Sequence, residues 1–295
     1  MIRLLAILCL AGAATQDDVV PDEALPGKLT TILHSNGTKA REGRIVHGQR
    51  SGNWTAWYAD GTKRYTGSFA NYARVGEWTF WRADGTKEES GTYDAEGRKH
   101  GKWTLLDGKE KLLRLSRWKH GDAHGLWERF DAGKSMMSHT WVDGAQRGVS
   151  SFYFPDGKTM STGTILYGMR EGVWRELFFN GGKRSEGSYV TGREEGAWTH
   201  WHENGQKDSE GAYHVGLQEG MWRGWHKDGR KRFEGSFIGS AQEGEWTFWW
   251  GNGQIKSHGK AKGGKWVGRW ECWNADGTPD RDLTGTYDDK GRKVR

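Results

Sequence analysis

Histidine offers the first candidate chemistry. His200 and His202 lie two residues apart in AWTHWHENG, and His226 follows in RGWHKDG. Residues two apart on a strand share a face, so three imidazoles could meet a zinc ion. The column of His202 and His226 also holds Tyr58, Arg82, Phe178, Trp250 and Asn274, which reads as a position open to any amphipathic side chain. His120 and His124 have H-x-x-x-H spacing, but Gly121 and Gly125 disfavour the helix that would align them. The pairs Glu88-Glu89 and Glu194-Glu195 are adjacent, so on strands they point to opposite faces and read as solvated. Asn274, Asp276, Asp280 and Asp282 could attract calcium, yet their spacing misses the EF-hand pattern. Glycine strings such as GAYHVGLQEG open no helix and so lack the helix N-terminus that cradles a phosphate. The expectation is a chain with no catalytic residue, no cofactor and no metal site, and hence not an enzyme.

What positions these residues is a repeat. The tryptophan of G-x-W recurs as Trp54, Trp78, Trp103, Trp127, Trp174, Trp198, Trp222, Trp246 and Trp270, with Ser150 standing in for one more. Successive spacings are 24, 25, 24, 23, 24, 24, 24, 24 and 24. Three residues after this position zero comes a second large apolar group: Trp57, Trp81, Leu106, Phe130, Tyr153, Leu177, Trp201, Trp225, Trp249 and Trp273. Next come turn pairs such as Asp60-Gly61, Asn204-Gly205 and Asn252-Gly253, then a basic segment and Gly-x-Tyr/Phe, as in Gly67-Ser68-Phe69 and Gly211-Ala212-Tyr213. A fainter unit precedes these in LTTILHSNGTKAREG at 29–43.

Each unit predicts a β-hairpin. Aromatic residues favour a pleated, half-buried surface, and Asn-Gly or Asp-Gly tolerates the positive φ of a tight turn. With 46 glycines among 295 residues, helix is disfavoured throughout. The hydrophobic share is 34%, with 19 Trp, 9 Tyr and 10 Phe, which excludes a deep aliphatic core and also excludes disorder. One hairpin cannot cover its own apolar face, so neighbouring units must cover it. Positions zero and three differ in parity, so either a bulge brings both aromatics to one side or each face carries its own ladder; the second is expected. The fold class expected is all-β: an elongated, twisted antiparallel sheet of about ten to eleven stacked 24-residue hairpins. The units at 103–150 depart from the pattern and mark where the array should loosen.

The pattern G-x-W-x-x-[WFLY]-x-x-[ND]-G-x-K…G-x-[YF]…G resembles MORN repeats, in particular the bacterial variant whose members are often labelled YwqK-type antitoxins. The resemblance covers essentially the whole chain after residue 26 and implies a binding or scaffolding role.

Residues 1–14, MIRLLAILCLAGAA, have the charged start, apolar run and small-residue end of a signal peptide, with cleavage near Ala13 or Ala14. Residues 15–26 form a short linker and 27–295 a continuous repeat array. The expected location is therefore secreted, or periplasmic and cell-envelope. Cys272 is left without a disulfide partner once Cys9 departs. The net charge of +6 comes from 44 basic and 38 acidic residues that alternate finely, which disfavours nucleic acid. A protein partner is expected first, with a glycan or an anionic membrane surface as alternatives. The candidate partner-binding aromatics are Trp57, Trp81, Trp201, Trp225, Trp249, Trp250 and Trp273.

Overall fold

The computed structural model describes residues 27–294. The expected signal segment and linker lie outside the described residues. Twenty-three strands, from Lys28–Leu33 to Gly285–Tyr287, form one open antiparallel sheet, and no helix occurs among the described residues. Almost every strand pairs with the next in the chain, as Leu217–Trp225 does with Lys231–Ile238. The sheet is thus a meander of hairpins, as the repeat predicts.

The two ends of each hairpin turn differently. At the Asp-Gly and Asn-Gly turns only the glycine takes positive φ, 90° at Gly61 and 87° at Gly205. The preceding carboxylate or amide instead accepts a backbone N–H two residues on: Asp60 from Thr62 at 2.8 Å and Asn204 from Gln206 at 3.1 Å. The Asx side chain thus caps the turn in place of a second left-handed residue. At the opposite end both turn residues have positive φ, as in Val215-Gly216 at 52° and 82°. That is the two-residue turn whose twist matches the flanking strands.

The core is a zipper of rings on one face. Trp54, Trp78, Trp103, Trp174, Trp222, Trp246 and Trp270 are fully buried. Every position-zero indole except Trp127 lies over the backbone of a glycine on the preceding strand: a Cβ built on Gly43, Gly67, Gly211 or Gly235 would overlap the ring of Trp54, Trp78, Trp222 or Trp246 respectively. Each indole Nε1 then donates to a backbone carbonyl ten residues earlier, or eleven for Trp103, for example Trp222 to Ala212 at 3.0 Å and Trp246 to Ser236 at 3.1 Å. The Gly-x-Tyr/Phe rings bridge successive tryptophans edge-on. Phe237 lies 6.2 Å from Trp222 at 90° and 4.9 Å from Trp246 at 79°. Such pairs contribute roughly 0.5–1.5 kcal/mol beyond area burial, so each unit is held mainly by its neighbours.

The stretch at 103–150 breaks this scheme for a definable reason. Ser116 and His139 occupy the glycine column there. The Ser116 side chain takes the floor under Trp127, which is only half-buried and packs instead between Trp118 and Trp141, at 4.9 and 5.3 Å. One unit later the sizes are exchanged: His139 faces Ser150, and Ser150 is wholly buried. The strand Asp122–Ala123 has two residues, and Gly125–Asp131 pairs back with Leu112–Lys119. None of the three buried ring clusters falls in this stretch.

The C-terminal end of the sheet is covered by the chain itself. After the last strand the chain turns at Asp288–Arg292 and returns, with Val294 N–H donating to Thr286 O at 2.8 Å.

Candidate binding face

Position three forms a second column that shares no ring contact with the first. A register shift falls between positions two and three, as at Gly224/Trp225 and Phe248/Trp249. Even so, position two stacks on position zero, as Phe248 does on Trp246 at 5.4 Å and 20°. Among the described residues no ring pair joins a position-three tryptophan to any other ring. Two aromatic columns on opposite faces are therefore present.

Lysine is the partner of this second column. The ammonium groups of Lys39, Lys63, Lys183, Lys207 and Lys231 stand over Trp57, Trp81, Trp201, Trp225 and Trp249 at 5.6, 5.9, 5.2, 5.8 and 5.2 Å. Each lysine belongs to the hairpin before its tryptophan, so the cation–π contact ties one unit to the next. Four of the five lysines also pair with a glutamate three residues on: Lys39 with Glu42 at 2.6 Å, Lys183 with Glu186 at 3.2 Å, Lys207 with Glu210 at 2.7 Å and Lys231 with Glu234 at 3.0 Å. Hydrogen bonding to Lys231 is the leading cause that holds the Glu234 carboxyl below its ordinary value, and Arg175 plays that part for Glu186. The resulting surface alternates indole, cation and carboxylate, with Arg175 and Arg223 sharing Glu186 and Glu234 with the lysines.

All seven sequence-predicted aromatics are half-buried. Trp57 and Trp81 occupy consecutive units, as do Trp201, Trp225, Trp249 and Trp273, with no position-three tryptophan between the two groups. Units repeat every two strands, which sets neighbouring rings roughly 10 Å apart. Trp250 does not join this column. Its Nε1 donates to Trp273 O at 2.9 Å, and Lys256 stands over its ring at 4.3 Å. Trp250 and Trp273 instead line a groove of 510 Å³ with Phe248, Trp266, Lys256 and Asp280. The buried Cys272 thiol also lines it, and burial pushes its pKa up.

The histidines resolve into structural parts. His202 Nε2 donates to Trp225 O at 2.9 Å and His226 Nε2 to Trp249 O at 3.0 Å. Tyr58 makes the same bond to Trp81 O at 2.9 Å. The column needs a donor that reaches the next unit's position-three carbonyl, which is why His, Tyr, Arg and Trp all serve. His200 lies elsewhere, stacked on Trp198 at 6.0 Å and Trp222 at 6.3 Å. Sequence reasoning missed the lysine–glutamate pairs, although K-x-x-E recurs in KAREG, KRSEG, KDSEG and KRFEG.

Burial holds the His200 pKa below its ordinary value of 6.5, against the opposing pull of Asp208. The folded chain thus takes up this proton less readily than the unfolded chain. Stability is accordingly unaffected above pH 6.5 and falls as pH drops through that value. His139, also depressed by burial, acts in the same direction. Phe80 and Phe248 fill the His200 column in other units, so His200→Phe is expected to fold, to raise stability and to flatten the pH dependence between about 6.5 and 5. Urea midpoints at several pH values measure this. An unchanged slope in the variant would show that His200 is not the group responsible.

A profile of the MORN repeat variant matches residues 194–214 and 242–261. Each match spans a hairpin, Arg193–Trp201 with Lys207–His214 and Ala241–Trp249 with Ile255–Lys262. Two hairpins of the chain thus match the MORN repeat variant. These two units contribute Trp201 and Trp249 to the position-three column. No curated protein matches the chain. Among solved structures, "Crystal Structure of TcdB2-TccC3-Cdc42" is similar at 12% identity and a TM-score of 0.17, over 85% of this chain and 15% of that one. "Crystal Structure of TcdB2-TccC3" is similar at 13% identity and a TM-score of 0.17, over 83% and 14%. The form without the hypervariable C-terminal region gives 12% identity and a TM-score of 0.19, over 82% and 16%. The chain thus spans 14–16% of the length of these chains.

Proposed function

We propose that the chain is a non-catalytic repeat scaffold that grips a protein partner through the position-three face, centred on Trp201, Trp225, Trp249 and Trp273. The observation that carries the reading is the regular run of half-buried indoles, of which Trp201, Trp225 and Trp249 each carry a lysine that also pairs with a glutamate. Partly exposed tryptophans held in place are strong interface anchors, because little side-chain freedom remains to be lost on binding. The glutamates interleaved among the lysines disfavour nucleic acid and anionic lipid, both of which select clustered positive charge. The N-terminal segment at 1–14 adds the proposal that the scaffold works after export, in the envelope or outside the cell. Toxin neutralisation, which the YwqK-type label implies, has little use for an exported chain and forms no part of the reading.

The test is capture of a discrete partner from the native envelope fraction by the full chain. Trp225→Ala with Trp249→Ala is expected to weaken that capture by at least about 30-fold, the factor for a hot-spot loss of about 2 kcal/mol. Thermal stability should fall far less than for a position-zero tryptophan. Undiminished capture by the double variant would overturn the reading.

A second reading rests on the groove of Trp250, Trp266 and Trp273. Aromatic walls beside Lys256, Asn274 and Asp280 suit a sugar ring that stacks on indole and hydrogen-bonds at its rim. Retention on immobilised polysaccharide that Trp250→Ala abolishes, with protein capture intact, would favour this over the first.

A further inference from the structure

We propose that Asp94, His100 and His120 bind a single divalent transition-metal ion of the zinc class. The three come together at one edge of the sheet from different hairpins. Asp94 begins the turn that closes at Arg98, His100 lies in the strand Lys99–Leu106, and His120 holds the left-handed first position, φ 50°, of the turn after Leu112–Lys119. One ligand atom of each lies within 4.8 Å of the other two. The His100 and His120 rings are 5.1 Å apart. Bonds of 2.0–2.1 Å to a tetrahedral ion require the three atoms to close by on the order of 1 Å, which the exposed His120 side chain can supply.

Two further observations point to a missing cation. His100 Nδ1 is buried and has no hydrogen-bond partner. His120 Nδ1 lies 3.0 Å from Asp94 Oδ2, which only accepts, and 3.3 Å from Arg98 Nη2, which only donates. One ring nitrogen cannot donate to the first and accept from the second at once. A metal ion removes the conflict, because the Nδ1 lone pair and Oδ2 then both face the cation. Arg98 already has an alternative partner in Glu96 Oε2 at 3.0 Å. Meanwhile Asp94 Oδ1 accepts the backbone N–H of Arg98 at 2.8 Å and of Glu96 at 3.1 Å. These bonds fix the carboxylate, as outer hydrogen bonds do for metal ligands; Oδ2 accepts Arg98 Nε at 3.0 Å and meets the ion once Arg98 turns to Glu96. Two imidazoles and a carboxylate suit zinc, cobalt, nickel or copper. A fourth position stays open for water or a side chain from a partner.

The test is titration of the full chain with Co²⁺ alone near neutral pH, read by visible absorption and by competition with Zn²⁺. The expected result is a tetrahedral-type band that saturates at one equivalent and disappears in His100→Gln and in His120→Gln. Arg98→Ala removes a cation beside the incoming one and is expected to tighten binding by about tenfold, a gain that a misfolded variant cannot mimic. No saturable band, a band that survives both histidine variants, or an Arg98→Ala affinity equal to the parent's would each overturn the site. The result is independent of partner capture by the tryptophan face.

Discussion

Trp246→Ala is expected to lower stability by about 3–5 kcal/mol, the range for truncating a fully buried aromatic. The indole is 1% exposed, stacks on Phe233 and Phe248 and meets Phe237 edge-on. Its loss also leaves Ser236 O without the Nε1 donor. Because these rings belong to two successive hairpins, the damage spreads to both sides of the cavity. Trp249→Ala, three residues away, removes a half-buried ring and one lysine contact, and should cost about 1–2 kcal/mol, nearer the average point substitution. Urea unfolding of the two variants makes the comparison. Equal costs would mean that the two columns are not energetically distinct.

Gly235→Ala should cost about 3 kcal/mol for the opposite reason. Its added Cβ falls inside the Trp246 ring, and overpacking a site with no slack commonly costs 1–3 kcal/mol or more. The chain itself contains the compensating arrangement, since His139 faces Ser150 where other units place glycine under tryptophan. Gly235→His and Trp246→Ser should therefore each be severely destabilising alone. Together they should cost at least about 1 kcal/mol less than the sum of the two, as contacting residues do. The double variant should still fall below the parent, because His139 Nδ1 and Ser150 Oγ lack partners. Additive costs in this cycle would show that the glycine column does not set the space for the tryptophan column.

The same size rule separates what was legible from what was not. Spacing alone identified the hairpins, their meander order and the face that holds Trp54, Trp78 and Trp246, because each unit repeats one local pattern. It also flagged 103–150 as irregular, since the Asp107-Gly108 turn comes two residues early and Ser150 breaks the tryptophan column. The reason was hidden: Ser116 and His139 matter only because they lie opposite those positions eleven residues on. The turn chemistry was half legible, with Asn204-Gly205 marking a bend but not the amide cap.

The sequence by itself determined the architecture, because a 24-residue period of aromatics and glycines leaves a stacked-hairpin sheet as the arrangement in which each unit covers the position-zero ring of its neighbour. Only the tertiary structure decided how far each ring is covered and by what. Lys183 reaches Trp201 across eighteen residues, and Asp94 and His120 meet across twenty-six. Such contacts depend on which strands lie side by side and in what register, and pairing distance is not written in any local stretch of residues.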